Sequence, residues 1–461
     1  FSSADSLPPE VHQYSNAHEM FLLNADNVYL DEEFTFGVLA HEYQHMIHFF
    51  RDRNETSWLN EGFSELAAFL NNYYDSGFDF YYLQNTDVQL NDWPNDSDAT
   101  IAHYGSSFLF VNYFLNRFGE EATKLLVKHE NNGLDSLDDV LKSIDARDPS
   151  TNQPVSSDDL FVDWIITNYL NDENVGDGHY VYKNYSRMTR ATITETIDSC
   201  NFPYLQRTVS QYGIDYIELS CDQEFKLTFK GSAITNVIPE SSYSGNYAFW
   251  SNKGDESHMV LSQKFNFSNI SSPISMTFMT WYDIEVDYDY LYLTASVDGE
   301  NWDIVQTTTC TTENPSGNSY GCGFNGVSNS WVKQYVDLSP YAGNQVELRF
   351  EYITDAAVNG EGLLIDDIEI PAIAYQTDFE ENDGGWKAEG WARISNYLPQ
   401  TYELVLIEFK GGEVKITRLD GMENQEINIP INGKLNNKTI LLVSGTTRYT
   451  RQKALYEISA D

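Results

Sequence analysis

Positive charge is scarce in this sequence. Among 461 residues, Lys and Arg together number 27 against 70 Asp and Glu, a formal net charge of −43. Phosphate recognition needs clustered Lys and Arg, so nucleic acid is excluded as the default partner, and an anionic membrane surface repels such a chain. Long apolar runs are missing too. Nothing approaches the roughly 18 uncharged apolar residues of a membrane-crossing helix, so no transmembrane segment is expected. An initiating Met is absent: the chain opens at Phe1 with no signal-peptide pattern, which reads as a processed form whose leader is gone, or a cut one. Cysteine is rare, at four residues, Cys200, Cys221, Cys310 and Cys322, and no CxxC pair occurs, which argues against a zinc knuckle.

What is present is enough to fold. Hydrophobic residues make up 41% and aromatics 14%, too apolar for intrinsic disorder despite the charge. At roughly 150 residues per domain the length suggests about three domains. The acidity most simply provides solubility. Of the three pairings open to four cysteines, neighbour pairing, Cys200–Cys221 and Cys310–Cys322, closes short local loops. Six Asn-x-Ser/Thr sequons occur, at Asn54, Asn95, Asn184, Asn266, Asn269 and Asn437. With the few, even-numbered cysteines they point to a secreted or cell-surface glycoprotein in an oxidising setting.

The hydrophobic period changes along the chain. Up to about residue 195 it is helical: Phe34–Phe50, Trp58–Tyr73, Tyr104–Phe118, Glu120–His129, Ser136–Ile144 and Asp158–Leu170 carry apolar residues at i, i+3, i+4. Ser156 and Ser157 before Asp158 and Asp159 form a cap signal. One short strand, Glu19–Asn24, is expected before the first helix, and 75–98 reads as a loop. From about 210 the period is two, as in Glu224–Phe229, Ile274–Met279, Tyr290–Ala295 and Val346–Tyr352, with turns at Asp298-Gly299 and Gly343-Asn344. A further β-rich piece contains Tyr402–Phe409 and Ile440–Ser444, with Gly411-Gly412 between strands.

The sharpest chemical signal is His41-Glu42-Tyr43-Gln44-His45. Histidines at i and i+4 on a helix lie one turn apart on one face and reach a single ion. Neutral imidazole is a good zinc ligand, and the glutamate after the first histidine is placed to take a proton from an activated water. A catalytic zinc takes three protein ligands, so a third is needed, and Trp58-Leu-Asn-Glu-Gly-Phe-Ser-Glu65 offers it. His48 sits seven residues after His41 and reads as a packed or rim histidine.

This pair of motifs resembles the gluzincin metallopeptidases, the thermolysin-like superfamily, and within them most nearly the hyicolysin-like secreted branch. Asn60-Glu61-x-x-Ser64-Glu65 is similar to that group's second-helix signature. The resemblance implies a catalytic Zn2+ on His41, His45 and Glu61, with Glu65 holding His41. Fifteen residues separate His45 from Glu61, fewer than the family's usual gap, and Glu65 at the longer spacing stays open as the alternative ligand. Ala102-His103-Tyr104-Gly105 opens a later helix, as the family's oxyanion donors do, which makes His103 or Tyr104 a candidate beside Glu42. Asp163 and Trp164 read as packing residues. Gluzincins carry a β-sheet lobe ahead of the first motif, and only 40 residues precede His41. A cleaved or separate N-terminal fragment is therefore expected.

Val336–Gly343, Val346–Tyr352 and Leu364–Ile370 resemble the sandwich domain of immune inhibitor A-type metallopeptidases, and meprin-type adhesion modules have similar jelly rolls. Such domains imply a structural Ca2+, for which Glu285, Asp287, Asp289, Asp366 and Asp367 offer hard oxygens, and contact with a cell surface or glycan. The expected architecture is α+β and multidomain: a mainly helical gluzincin catalytic domain over 1–200, an antiparallel, jelly-roll-like β-sandwich over 210–373, and a β-rich segment over 374–461 that packs on or completes the sandwich. The expected function is extracellular, zinc-dependent endopeptidase action on protein or peptide substrates. The alternative is a non-catalytic extracellular structural or adhesion protein that retains the fold.

Overall fold

The structure, a computed structural model, describes residues 8–9, 15–24, 26, 28–94, 96, 98–355, 358–419, 422, 425–434 and 438–460. Sequons Asn95 and Asn437 lie outside them. The chain forms two compact units, 1–235 with 399–461, and 236–398. The architecture is α+β, with six helices among the described residues of the first unit and mostly antiparallel sheets in both.

The helices are α1 (Glu33–Phe49), α2 (Ser57–Leu70), α3 (Phe78–Gln84), α4 (Thr100–Leu126), α5 (Gly133–Ser143) and α6 (Ser157–Leu170). The two periodic stretches split at 118/120 are halves of α4, broken where Gly119 leaves helical geometry at φ 81°. A positive φ is cheap only for glycine, which is why the break sits there. The cap signal before α6 is realised as a capping box: Ser156 accepts from the Asp159 N–H, and the Asp159 carboxylate accepts from the Ser156 N–H. The 75–98 segment, read as a loop, contains α3. Glu19–Asn24 forms no strand, contrary to expectation. A strand needs a ladder partner, and the first strand among the described residues begins only at Glu195.

Two sheets complete the first unit. A five-stranded sheet runs in the order Glu195–Ile197, Asp215–Leu219, Lys438–Gly445, Tyr402–Lys410, Glu413–Arg418. A four-stranded sheet runs Phe202–Val209, Ala454–Ala460, Glu224–Gly231, Glu426–Asn432. They bury Leu404, Leu406, Leu441, Phe229 and Tyr456 in one core. The five-stranded sheet turns its other face, with Val405, Ile407, Ile440, Leu442 and Tyr216, into the core of the helices. Both faces of Tyr402–Lys410 are therefore buried, which explains its nearly unbroken apolar run. Lys410 pairs with Glu413 across Gly411-Gly412, both at positive φ, the tight hairpin that two glycines favour.

The second unit is a sandwich of a five-stranded and a six-stranded sheet around Phe278, Leu293, Phe350, Ile365 and Trp386. The strands after 373 divide. Tyr375–Thr377, Lys387–Glu389 and Ala392–Ile394 complete the sandwich, whereas the strands from Tyr402 onward join the helical unit. The breaks between units thus fall at 235/236 and 398/399, away from the boundaries expected at 210 and 373/374. Cys200 is joined to Cys221 and Cys310 to Cys322, the neighbour pairing. No helix among the described residues is long and apolar enough to cross a membrane.

Candidate active site

Helix α1 carries the first motif and α2 the second. His41 Nε2 and His45 Nε2 stand 3.0 Å apart, and Glu61 Oε2 lies 3.1 Å from the first and 3.3 Å from the second. Glu65 is elsewhere on the ring: its Oε1 accepts from His41 Nδ1 at 3.0 Å, while Oε2 accepts from Ser76 Oγ. Of the two acids left open by spacing, the structure brings Glu61 to the imidazole nitrogens and sets Glu65 behind His41.

His45 has a counterpart that motif reading left without a role. Its Nδ1 bonds Asn60 Oδ1 at 3.0 Å, with Ser64 Oγ at 3.1 Å. Each imidazole is thus held at Nδ1, which fixes the tautomer and presents Nε2 to the shared point. The signal was in the sequence, because Asn60 and Ser64 lie one turn apart on the helix that carries Glu61.

The electrostatics couple the imidazoles to the carboxylates. Burial disfavours charge on His41, but hydrogen bonds and attraction from Glu61 and Glu65 outweigh it and carry its pKa up to about 9. Burial likewise disfavours the Glu61 anion, but His41 and His45 pull its pKa down to about 2. Glu61 is kept as a carboxylate at any ordinary pH. Two imidazole nitrogens and one carboxylate oxygen that lie within 4.8 Å of one another are a donor set zinc accepts.

Helix α4 supplies the next group. The Tyr104 ring is 6.1 Å from the His41 ring, stacked on Phe78 and edge-on to Trp93, and its hydroxyl reaches Glu61. Burial first, and then the carboxylates of Glu61, Glu65 and Glu42, raise its pKa and keep the phenol protonated. His103 is engaged elsewhere, its Nδ1 on the Asp92 carbonyl at 3.1 Å, and burial lowers its pKa. Neighbours on a helix point about 100° apart, so one of the two candidates faces the histidines and it is Tyr104.

Two glycines let these helices close. A Cβ on Gly62 of α2 would sit 2.9 Å from the Ser107 carbonyl oxygen of α4, and one on Gly105 would sit 2.1 Å from that of Phe78 in α3. An open pocket of about 260 Å³ lies over the site, lined by His41, Glu42, Glu65 and Tyr104 with apolar walls from Phe34 and Phe78. Asp163 is a buried packing residue, as expected, and accepts from Arg418 Nη2 at 2.7 Å.

In the sandwich the five expected calcium ligands do not converge. Glu285 and Asp289 come together with Asp355, ligand atoms within 4.8 Å. Burial and the neighbouring acids push Glu285 up to about 8. Burial also pushes Asp289 up, to about 7, with Asp355 and Asp255 adding to it. Asp287 is not in this group. Asp366 and Asp367 are not either: their carboxylates accept from the Ser244 N–H and Oγ. Asp355 was missed because a β register makes the contact. Ile353 pairs with Tyr290, so the chain just past one strand meets the residue just before the other.

Residues 215–396 match the family model described as Immune inhibitor A-like, MAM domain. Over 159 residues the chain is 31% identical to the pre-pro-metalloprotease PrtV of Vibrio cholerae, a match covering 34% of this chain and 16% of that protein. It is 27% identical over 141 residues to Immune inhibitor A of Bacillus thuringiensis subsp. alesti, covering 30% of this chain and 19% of that protein. It is 28% identical over 99 residues to bacillopeptidase F of Bacillus subtilis, covering 21% and 6%. The chain thus spans less than a fifth of the length of each of these relatives. At the level these matches reach, it is related to metalloproteases and contains an immune inhibitor A-like domain.

Proposed function

We propose that this chain is a zinc-dependent endopeptidase that acts on protein or peptide substrates outside the cell. The observation that carries the reading is the convergence of His41 Nε2, His45 Nε2 and Glu61 Oε2 beside a pocket that Glu42 also lines. Those three side chains would hold the ion. When bound, it supplies Lewis acidity to the attacking water and the scissile carbonyl. Glu65 and Asn60 hold the two imidazoles in the tautomer that leaves Nε2 unprotonated. Glu42 takes a proton from the water as its oxygen attacks the carbonyl carbon. It then delivers that proton to the departing nitrogen as the C–N bond breaks. Tyr104, protonated, donates a hydrogen bond to the oxygen on which negative charge develops. Phe34 and Phe78 offer apolar contact to a substrate side chain.

The two disulfides support an oxidising, extracellular location. In the sandwich, Glu285, Asp289 and Asp355 are the residues we assign to a structural Ca2+. Elemental analysis of the purified full chain, joined to digestion of an unfolded protein substrate with and without chelator, tests the reading. Zinc in the protein and chelator-sensitive cleavage are expected. Full activity after zinc is stripped would overturn it.

A further inference from the structure

The end of α1 carries a second constellation that the proposed reaction does not use. His48 is 1% exposed and edge-on to Phe63, and neither ring nitrogen has a hydrogen-bond partner. Asn60 approaches the ring, but its amide oxygen is taken by His45. In the loop between α1 and α2, Glu55 is anchored through one oxygen only. Its Oε1 accepts from the Thr56 N–H and Oγ1 and from the Gly133 N–H at the start of α5. Its Oε2 is buried with no partner, and so is Oδ2 of Asp52. One nitrogen of His48 and one oxygen each of Asp52 and Glu55 lie within 4.8 Å of one another.

Buried polar atoms are nearly always paired, and three clustered side chains that each carry an orphan atom call for a missing partner. Two carboxylates and a neutral imidazole can share one partner, a cation. One nitrogen and two oxygens are too few and too soft a set for calcium, which takes six to eight oxygens, but they suit a borderline ion that accepts three protein ligands and water. We propose that His48, Asp52 and Glu55 form a second divalent-metal site of the zinc class, which ties the end of α1 and the loop before α2 to the start of α5. That loop leads into the helix that bears Glu61. The site shares no ligand with the His41–His45–Glu61 group and stands whether or not the chain hydrolyses peptides.

The test is zinc stoichiometry of the full chain after equilibration with Zn2+ and removal of excess ion. Two zinc ions are expected in the parent, one in His41→Ala/His45→Ala, and one in Asp52→Asn/Glu55→Gln, whose near-isosteric changes preserve volume. Added Zn2+ should raise the melting temperature of the His41→Ala/His45→Ala variant and leave that of a variant combining His41→Ala/His45→Ala with Asp52→Asn/Glu55→Gln unchanged. One ion in the parent and none in His41→Ala/His45→Ala would overturn this site and spare the catalytic one. One ion that survives His41→Ala/His45→Ala but is lost in Asp52→Asn/Glu55→Gln would support this site and defeat the other. A His41→Ala/His45→Ala variant that refuses Zn2+ and takes a Ca2+ that is lost on adding Asp52→Asn/Glu55→Gln would overturn the zinc class.

Discussion

At the scale of single residues, the site depends on what holds the obvious groups. His41 and His45 can be found in the sequence by spacing alone, but their ring orientation comes from Glu65 and Asn60. Tyr104 has both a position near His41 and a proton to give. Tyr104→Phe is expected to lower kcat by about 10²–10³-fold, the usual loss of one oxyanion donor, with KM and bound zinc nearly unchanged. Steady-state kinetics beside metal analysis checks this. Asp215 makes a different prediction, about pH. Burial outweighs the hydrogen bond from Tyr456 and pushes this carboxyl from 3.8 up to about 6. The folded state therefore holds the proton more tightly than the unfolded one. The stabilisation from that proton is full below about pH 4 and is lost as pH rises through about 6. Asp215→Asn keeps an acceptor for Tyr456 and carries no charge. It should melt higher than the parent at pH 7, with the difference vanishing below pH 4, in thermal scans across that range.

At the scale of elements, the longer helices were legible because apolar residues recur at i, i+3, i+4 along them. The break between Phe118 and Glu120 was legible from the apolar period, and the cap at Ser156 from residue chemistry. The short α3 was not, since seven residues hold too few turns to show a period. The acidic group of the sandwich was half legible: Glu285 and Asp289 are neighbours in sequence, whereas Asp355 joins them only through strand pairing. In a chain with 70 acidic residues, composition could not tell Asp366 and Asp367 from true members of the group. Close helix contact yields a direct test. Gly105→Ala drives a methyl group into the Phe78 carbonyl, so α4 must move off α3. Thermal melting should show a loss of about 1–3 kcal/mol, typical of overpacking. Activity should fall further than stability, because the adjoining Tyr104 moves with the helix.

At the scale of the whole molecule, the scarce cations of the last segment are spent on the helical unit. Arg418 pairs with Asp159 and the buried Asp163, Arg448 with Asp135 and Asp138, and Arg451 with Asp92. The same segment supplies strands to both sheets of that unit. The segment expected as one β-rich piece over 374–461 divides: its strands up to Ile394 complete the sandwich, and those from Tyr402 onward belong to the helical unit. Residues 236–398 alone should therefore give a soluble fragment with one cooperative melting transition. Residues 1–235 alone should not, since they lack Lys438–Gly445, the antiparallel partner of Asp215–Leu219, and both partners of Glu224–Gly231. Calorimetry of the two fragments decides this, and a cooperative transition from 1–235 would contradict it.

The most direct measurement of the central claim is the rate at which the full chain and its Glu42→Gln variant digest an unfolded protein, each with its zinc content determined. Glu42 belongs to the pocket and not to the ligand set, so the variant should keep its fold and its metal. It should lose cleavage by about 10²-fold or more, the contribution of a positioned general base. His45→Ala should lose the metal as well, which separates the chemistry from the site that supports it. A Glu42→Gln variant that retains zinc and digests the substrate as fast as the parent would contradict the peptidase account.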